Sequence, residues 1–218
     1  MASQIVVFDL DGTLVDSLGQ IFTSCNEARK HMGLEELDED FVKQTIGMSA
    51  EFLFPELQGE EKKAKEALLA FRSILREKSS SSNPLFDGVL ETLSYFSSMN
   101  YALAIASNKP QELLEHVVEN SALSHFDFFI RGSQGNDLKP LPVMPIDCMR
   151  FQGTDSGFMV GDRPEDMIAG RGAGLVPIGI ALGAFSKLDL LESGAQMAFE
   201  DWRSFHAYLC FTSKSYED

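Results

Sequence analysis

Ile5-Val6-Val7-Phe8-Asp9-Leu10-Asp11-Gly12-Thr13-Leu14-Val15-Asp16-Ser17 is the stretch whose reading decides the fold. Ile5 to Phe8 is a short run of β-branched and aromatic residues, the pattern of a strand buried on both faces. It breaks off into Asp9 and Asp11, with Gly12 giving the chain freedom to turn. In an open parallel sheet, ligands sit outside the carboxyl ends of the strands, so both carboxylates would project into a binding crevice. Two ionised carboxylates so close repel each other unless a cation lies between them or one keeps its proton. The plainer alternative is a strand followed by an Asp-Gly hairpin turn.

The chain downstream favours the crevice. Asp16 or Ser17 can cap a helix whose apolar positions Leu18, Ile21, Phe22, Cys25, Ala28 and Met32 follow helical spacing, with Gly33 placed to end it. Glu39 to Ile46 reads as a second helix closed by Gly47, and a short third starts near Ser49 and stops around Pro55. Glu60 to Lys78 is the clearest helix, with Ala64, Ala67, Leu68, Phe71, Ile74 and Leu75 on one stripe. Ser79 to Pro84 has linker composition. No strand pattern occurs between Asp16 and Asn83, so a helical insertion between two hinges is expected.

From Leu85 strands and helices alternate. Strands are expected at Tyr101 to Ala106, Phe126 to Ile130, Phe158 to Val160, Val176 to Ala181 and Met197 to Phe199. Helices are expected at Val89 to Met99, Gln111 to Asn120, Pro145 to Phe151, Pro164 to Ala173 and Trp202 to Leu209. That alternation predicts an α/β fold with a doubly wound parallel sheet. The expected division is a core domain of residues 1–15 and 85–218 and a small α-helical cap of residues 16–84.

Composition narrows the partners. With 18 basic and 33 acidic residues the formal net charge is −15, which argues against nucleic acid, because phosphate neutralisation needs clustered Lys and Arg. An anionic substrate would have to be held by local positive charge or a metal. Cys25, Cys148 and Cys210 are odd in number and lack motif spacing, so reduced, buried thiols in a cytoplasmic protein are expected. No secretory signal is visible, and no apolar run approaches a membrane span.

Three later strand ends carry polar residues suited to an anion site. Ser107-Asn108-Lys109-Pro110 precedes a helix, where a hydroxyl and free backbone N–H groups can take phosphate oxygens; an ordinary N-cap explains the same residues. Lys139 stands in a loop held by Pro140 and Pro142, where a solvated lysine is the plainer reading. Gly161-Asp162-Arg163-Pro164-Glu165-Asp166 opens a helix, and acids there also suit the helix dipole. Taken together, four strand-end loops would bring Asp9, Asp11, Asp162 and Asp166 beside a Ser hydroxyl and a Lys. Carboxylates with phosphate oxygens and water are the surroundings Mg²⁺ selects. The lysine and hydroxyl would neutralise a transferring phosphoryl group.

Asp9-Leu-Asp-Gly-Thr13, Ser107-Asn-Lys109, Lys139-Pro140 and Gly161-Asp-Arg-Pro-Glu-Asp166 resemble, in order, the four motifs of the haloacid dehalogenase superfamily. The helical insert, Asp11 to Ser17, Ala106 to Pro110 and Ile178-Gly-Ile180 are similar to its phosphoglycolate phosphatase-like branch, and the match covers almost the whole chain. The resemblance implies a Rossmann-like core and a Mg²⁺-dependent phosphatase acting on a small, phosphoglycolate-like phosphomonoester through an aspartyl-phosphate. It implies Asp9 as nucleophile, Asp11 as acid and base, and Thr13 and Gly12 orienting the phosphoryl group and its turn. Ser107 and Lys139 would bind the transferring oxygens, with Asn108 acting mainly through its backbone. Asp9, Asp11 (by its carbonyl), Asp162 and Asp166 would serve the metal, Asp166 through water or by holding Lys139. A monomer or homodimer is expected.

Two departures stand out. Lys139-Pro-Leu-Pro-Val-Met-Pro145 has one residue more between its second and third prolines than the family spacing, which would displace the next helix start but not Lys139. Thr45-Ile-Gly-Met-Ser-Ala-Glu51, at the branch's substrate-specificity loop, offers no Arg or Lys for a second anionic group, and Lys43 is the nearest cation. A neutral or apolar substrate tail fits that loop. Asp at position 11 argues against a dehalogenase. A phosphomutase sharing the core and cap, and a non-catalytic binding member, remain as alternatives.

Overall fold

The computed structural model describes residues 4–46, 50–81 and 83–214. The strands β1 Ile5–Phe8, β2 Ala102–Pro110, β3 Phe128–Ser133, β4 Gly157–Gly161, β5 Val176–Ile180 and β6 Met197–Phe199 form one sheet in the order β3-β2-β1-β4-β5-β6. Every pairing is parallel. β1 fits the centre because all four of its side chains are wholly buried. Their burial is worth about 6–12 kcal/mol at the usual figure per large apolar side chain. Val6 and Phe8 face one side and Ile5 and Val7 the other, as strand alternation requires.

Helices cover both faces. On the Phe8 side lie α4 Val89–Ser98, α5 Gln111–Glu119 and α9 Trp202–Lys214. On the Val7 side lie α6 Val143–Gln152 and α7 Pro164–Gly172, where Gly170 lets α7 close on Met159 of β4. From β1 the chain winds outward through β2 and β3, then returns to begin the other half at β4. The carboxyl ends of β1, β2 and β4 therefore meet at the point where strand order reverses, the natural crevice of such a sheet.

Between β1 and α4 the elements are α1 Leu18–His31, α2 Glu39–Thr45, two short 3₁₀ turns at Ala50–Leu53 and Pro55–Leu57, and α3 Glu61–Ser79. Their apolar side chains, including Ile21, Cys25, Val42, Leu53, Phe71 and Leu75, make a cluster separate from those against the sheet. The chain leaves and re-enters the core side by side. The Asp16 N–H donates to the Pro84 carbonyl at 2.9 Å, and the Phe86 N–H to the Leu14 carbonyl at 3.2 Å.

Several expectations need correcting in detail. Ser17 precedes α1 but its side chain caps nothing, because its backbone is already helical and its hydroxyl is buried without a partner. Gly33 does end α1: at φ +70° it allows the Leu34 and Gly33 N–H groups to reach the Arg29 and Lys30 carbonyls. The serine run is less of a linker than its composition suggests. Ser79 still belongs to α3, and the buried Asn83 amide donates to the Ser79 and Asn120 carbonyls. β2 runs on through Ser107, Asn108 and Lys109, with a register shift against β3. β3 starts and ends later than expected, and α6 starts at Val143, since Pro145 in the first turn needs no N–H partner. A further helix, α8 Lys187–Glu192, is set by a capping box between Ser186 and Asp189. The expected stop at Gly47, start at Ser49 and the linker's Ser82 lie outside the described residues.

Cys25 and Cys148 are buried and unpaired, and burial pushes their thiols up to about 11 and about 12, so both behave as small hydrophobes. Among the described residues no helix is long and apolar enough to cross a membrane.

Candidate active site

The turn after β1 is built to present its acids. Thr13, Leu14 and Val15 all send their N–H groups to the Leu10 carbonyl, folding the stretch into one tight turn. Gly12 takes φ +81°, and a Cβ there would lie 2.6 Å from Oδ2 of Asp162. A Cβ on Gly183 would crowd the same oxygen still more closely. The Trp202 indole N–H donates to the Thr13 carbonyl at 2.8 Å, so α9 pins the turn from below.

Asp9, Asp162 and Asp166 converge, each nearly inaccessible to solvent, with carboxylate oxygens within 4.8 Å of one another. Lys139 reaches in from the loop before α6. Its Nζ donates to Oδ1 of Asp166 at 2.7 Å and lies 2.7 Å from Oδ1 of Asp9. The second contact has the distance of an ion pair but not the angle of a hydrogen bond, which leaves Asp9 Oδ1 without a hydrogen-bond donor. Thr13 Oγ1 donates to Oδ1 of Asp162 at 2.6 Å. Asp166 is fully engaged, its Oδ2 accepting from the Arg163 N–H at 3.1 Å.

The electrostatics follow from crowding. Burial pushes the Asp162 carboxyl well above the usual carboxylate range, Asp166 and Asp9 push the same way, and the Thr13 hydrogen bond offsets only part. Asp166 is raised to about 7, again by burial first, with Lys139 opposing and Asp9 adding to the rise. Burial pulls the Lys139 ammonium down, but Asp166 and Asp9 outweigh it and hold the lysine charged above its ordinary value. Three carboxylates against one ammonium leave the crevice short of positive charge. Hard oxygen donors at this spacing, one of them lacking a hydrogen bond, fit a small divalent cation such as Mg²⁺.

A second pair lies beside the first. Lys109 Nζ is 3.0 Å from Oδ2 of Asp11, both side chains buried, while Asp11 Oδ1 has no hydrogen-bond partner. The Asn108 side chain holds Lys139. Its Oδ1 accepts the Lys139 N–H at 2.7 Å and its Nδ2 donates to the Lys139 carbonyl at 3.2 Å, a two-point clamp on the lysine's backbone. Its carbonyl accepts from the Ser133 hydroxyl. Ser107 is buried within β2, two residues past Ile105, which pairs with Phe8. Its Oγ accepts from the Lys109 N–H.

Thus Lys139 touches Asp9 and Asp166, Thr13 touches Asp162 within the same carboxylate cluster, Gly12 abuts Asp162, Asn108 holds Lys139, and Asp11 pairs separately with Lys109. Sequence reasoning gave no role to Lys109, Arg163, Gly183 or Trp202. Lys109 was readable inside its Ser-Asn-Lys motif. Arg163 is buried, stacks on Phe185 with its guanidinium 4.9 Å from the ring centre, and donates to the Gln44 carbonyl at the end of α2.

Two cavities flank the crevice. One of about 520 Å³ lies between α1, α3 and the ends of β2 and β3, with Asp11 and Lys109 in its wall. The other, about 160 Å³, borders Gly12, Asp162 and Gly183 and includes Lys43, so that lysine serves the Asp162 side. Of the expected specificity loop, Gly47, Met48 and Ser49 lie outside the described residues.

Comparison with known proteins agrees with this architecture. The family model for haloacid dehalogenase-like hydrolases matches residues 6–180. A phosphoglycolate phosphatase from Aquifex aeolicus is 30% identical over 189 residues, covering 85% of this chain and 88% of that protein. Another from Haemophilus influenzae is 28% identical over 212 residues, covering 91% and 95%. A solved haloacid dehalogenase-like hydrolase from Streptococcus pneumoniae superposes with a TM-score of 0.83 at 25% identity, covering 94% of this chain and 98% of that one.

Proposed function

This chain belongs to the haloacid dehalogenase-like hydrolase family and is a phosphatase, and from that premise we propose that it hydrolyses a small-molecule phosphomonoester through an aspartyl-phosphate on Asp9, with Mg²⁺ as cofactor. The observation that carries the reading is the Asp9 carboxylate itself. It is buried, faces Lys139 and stands in one oxygen cluster with Asp162 and Asp166.

The chemistry runs in two displacements. An oxygen of Asp9 attacks phosphorus in line as the bond to the alcohol oxygen breaks, and Asp11 gives that oxygen its proton. Water then attacks the phosphorus of the acyl phosphate, passes a proton to Asp11, and releases phosphate and the Asp9 carboxylate. Lys139 and Ser107 bind the non-bridging oxygens through both steps. Asp166 and Asn108 keep Lys139 in place, one by its ammonium and the other by its backbone. Thr13 orients Asp162. Mg²⁺, held by Asp9, Asp162 and the Asp11 carbonyl and served by Asp166, would screen the converging charges and template the in-line geometry.

The helical segment 16–84 is proposed as a cap over a core of residues 1–15 and 85–218, supported by its separate apolar cluster and the hydrogen-bonded pair of connections. Closing the cap would exclude water around the phosphoryl group. A cytoplasmic site of action accords with the unpaired, buried Cys25 and Cys148.

Trapping the covalent enzyme with a rapid acid quench and mapping it by mass spectrometry tests the proposal. A phosphoryl group on the peptide containing Asp9, formed only with Mg²⁺, is expected. Hydrolysis without any such adduct, or an adduct elsewhere, overturns it.

A further inference from the structure

The cavity of about 520 Å³ is more than a phosphate needs. It sits within the size range of pockets that enclose drug-sized ligands. Among the described residues Asp11 is the only carboxylate in its wall. On the proposed mechanism Asp11 protonates the leaving oxygen, so the alcohol half of the substrate must lie in this cavity.

The wall divides by character. The side contributed by the helical segment is mostly apolar, carrying Ile21, Leu53, Phe71 and Leu75 beside Thr45 and Arg72, and Leu113 joins them from α5. Among the described residues two cations border the space, and neither is placed to hold a second anion. Lys109 is already paired with Asp11 at 3.0 Å. Arg72 is exposed, so an anion meeting it would gain little over its hydration. A carboxylate pressed against Phe71 and Leu75 would lose water and gain no buried partner.

We propose that the preferred substrate is a phosphomonoester whose alcohol carries a ring-sized apolar body, not a short phosphorylated acid; this rests on the phosphatase reading and narrows its substrate class.

Binding and turnover test it separately. In the first arm, naphthylmethylphosphonate, methylphosphonate and phosphonopropionate are titrated calorimetrically into the wild-type protein with Mg²⁺. The naphthyl compound should bind about tenfold or more tighter than phosphonopropionate, because only it buries apolar surface against α3. Equal or tighter binding of phosphonopropionate overturns the inference. In the second arm, kcat/KM is compared for naphthyl phosphate and phosphoglycolate, and the naphthyl ester should lead. A lead for phosphoglycolate overturns the substrate class while leaving the phosphatase reading intact. Naphthyl selectivity in binding with no turnover of any ester would overturn that reading and leave the cavity assignment standing. Ile46→Trp, at a half-buried wall position, should remove the naphthyl advantage and leave methylphosphonate binding in place.

Discussion

The crevice and the helical segment both bury charge, but they do so over different distances along the chain. In the crevice, Thr13 meets Asp162, Lys139 meets Asp9 and Asp166, and Lys109 meets Asp11, joining loops from four parts of the sequence. Among the described residues of the helical segment the one deeply buried cation is Arg29, and it serves its own neighbourhood. It donates to the Glu35 carbonyl at 2.6 Å, the Leu53 carbonyl at 2.7 Å and the Glu56 carboxylate at 2.6 Å, tying down the loops around α2. The first arrangement gathers more negative charge than it neutralises; the second is balanced. Unbalanced burial costs stability and is sustained by what binds there, whereas balanced burial holds a shape.

If that distinction is right, the two regions fail differently. Asp9→Asn should lower turnover by about a thousandfold or more while the melting temperature holds or rises, since the amide removes one of three crowded charges. Phosphate release and thermal melts on one preparation check both halves. Near-normal turnover would remove Asp9 from its role. Chelation comes next: EDTA should silence the enzyme and Mg²⁺ restore it. Ca²⁺ should inhibit, because its longer and more numerous bonds loosen in-line geometry. Full activity after exhaustive chelation would sink the metal assignment.

Arg29→Met is the converse test. Three carbonyl or carboxylate partners lose their donor, so urea melts should show a loss of about 2–4 kcal/mol. Mg²⁺ affinity, measured by calorimetry on the folded variant, should stay within about twofold, as expected for sites with no shared partner. A large drop in Mg²⁺ affinity would mean that the two regions are not separable.

The same contrast explains what the sequence disclosed. Crevice residues are legible because Asp9, Ser107, Lys139 and Asp162 each stand in a short polar stretch that breaks an apolar run or a loop next to it. The sheet was legible for a related reason, since buried parallel strands read as apolar runs. Residues that shape the site through contacts distant in sequence left no local trace. Nothing near Trp202 signals its bond to Thr13, and nothing near Gly183 signals Asp162. The helical segment was readable as helices but not as a cavity wall, because Ile21, Phe71 and Leu75 fit any amphipathic stripe. The Asn108 clamp on Lys139 left no local trace either, because it depends on two loops meeting.

The smallest effect lies in the pH dependence of stability, where the two regions should pull in opposite directions. Asp166 is raised from an ordinary 3.8 to about 7, and Asp162 shifts the same way. Between those values the folded protein keeps protons that the unfolded chain has lost, so crevice stability falls as pH rises through that window. Glu56 is shifted down from 4.5, chiefly by its bond to Arg29. Its contribution is present above that value and is lost as pH falls through the lower folded value; it is small, because the side chain is half exposed. In EDTA, the melting temperature should therefore drop by roughly a few degrees between about pH 5 and pH 7. Mg²⁺ should flatten or reverse the trend, because the ion binds the deprotonated carboxylates. Asp166→Asn should remove part of the slope, whereas Glu56→Gln should leave it intact and blunt only the loss at lower pH. A slope that survives Asp166→Asn unchanged but disappears in Glu56→Gln would place the unbalanced charge in the helical segment, and the contrast between the two regions would have to be redrawn.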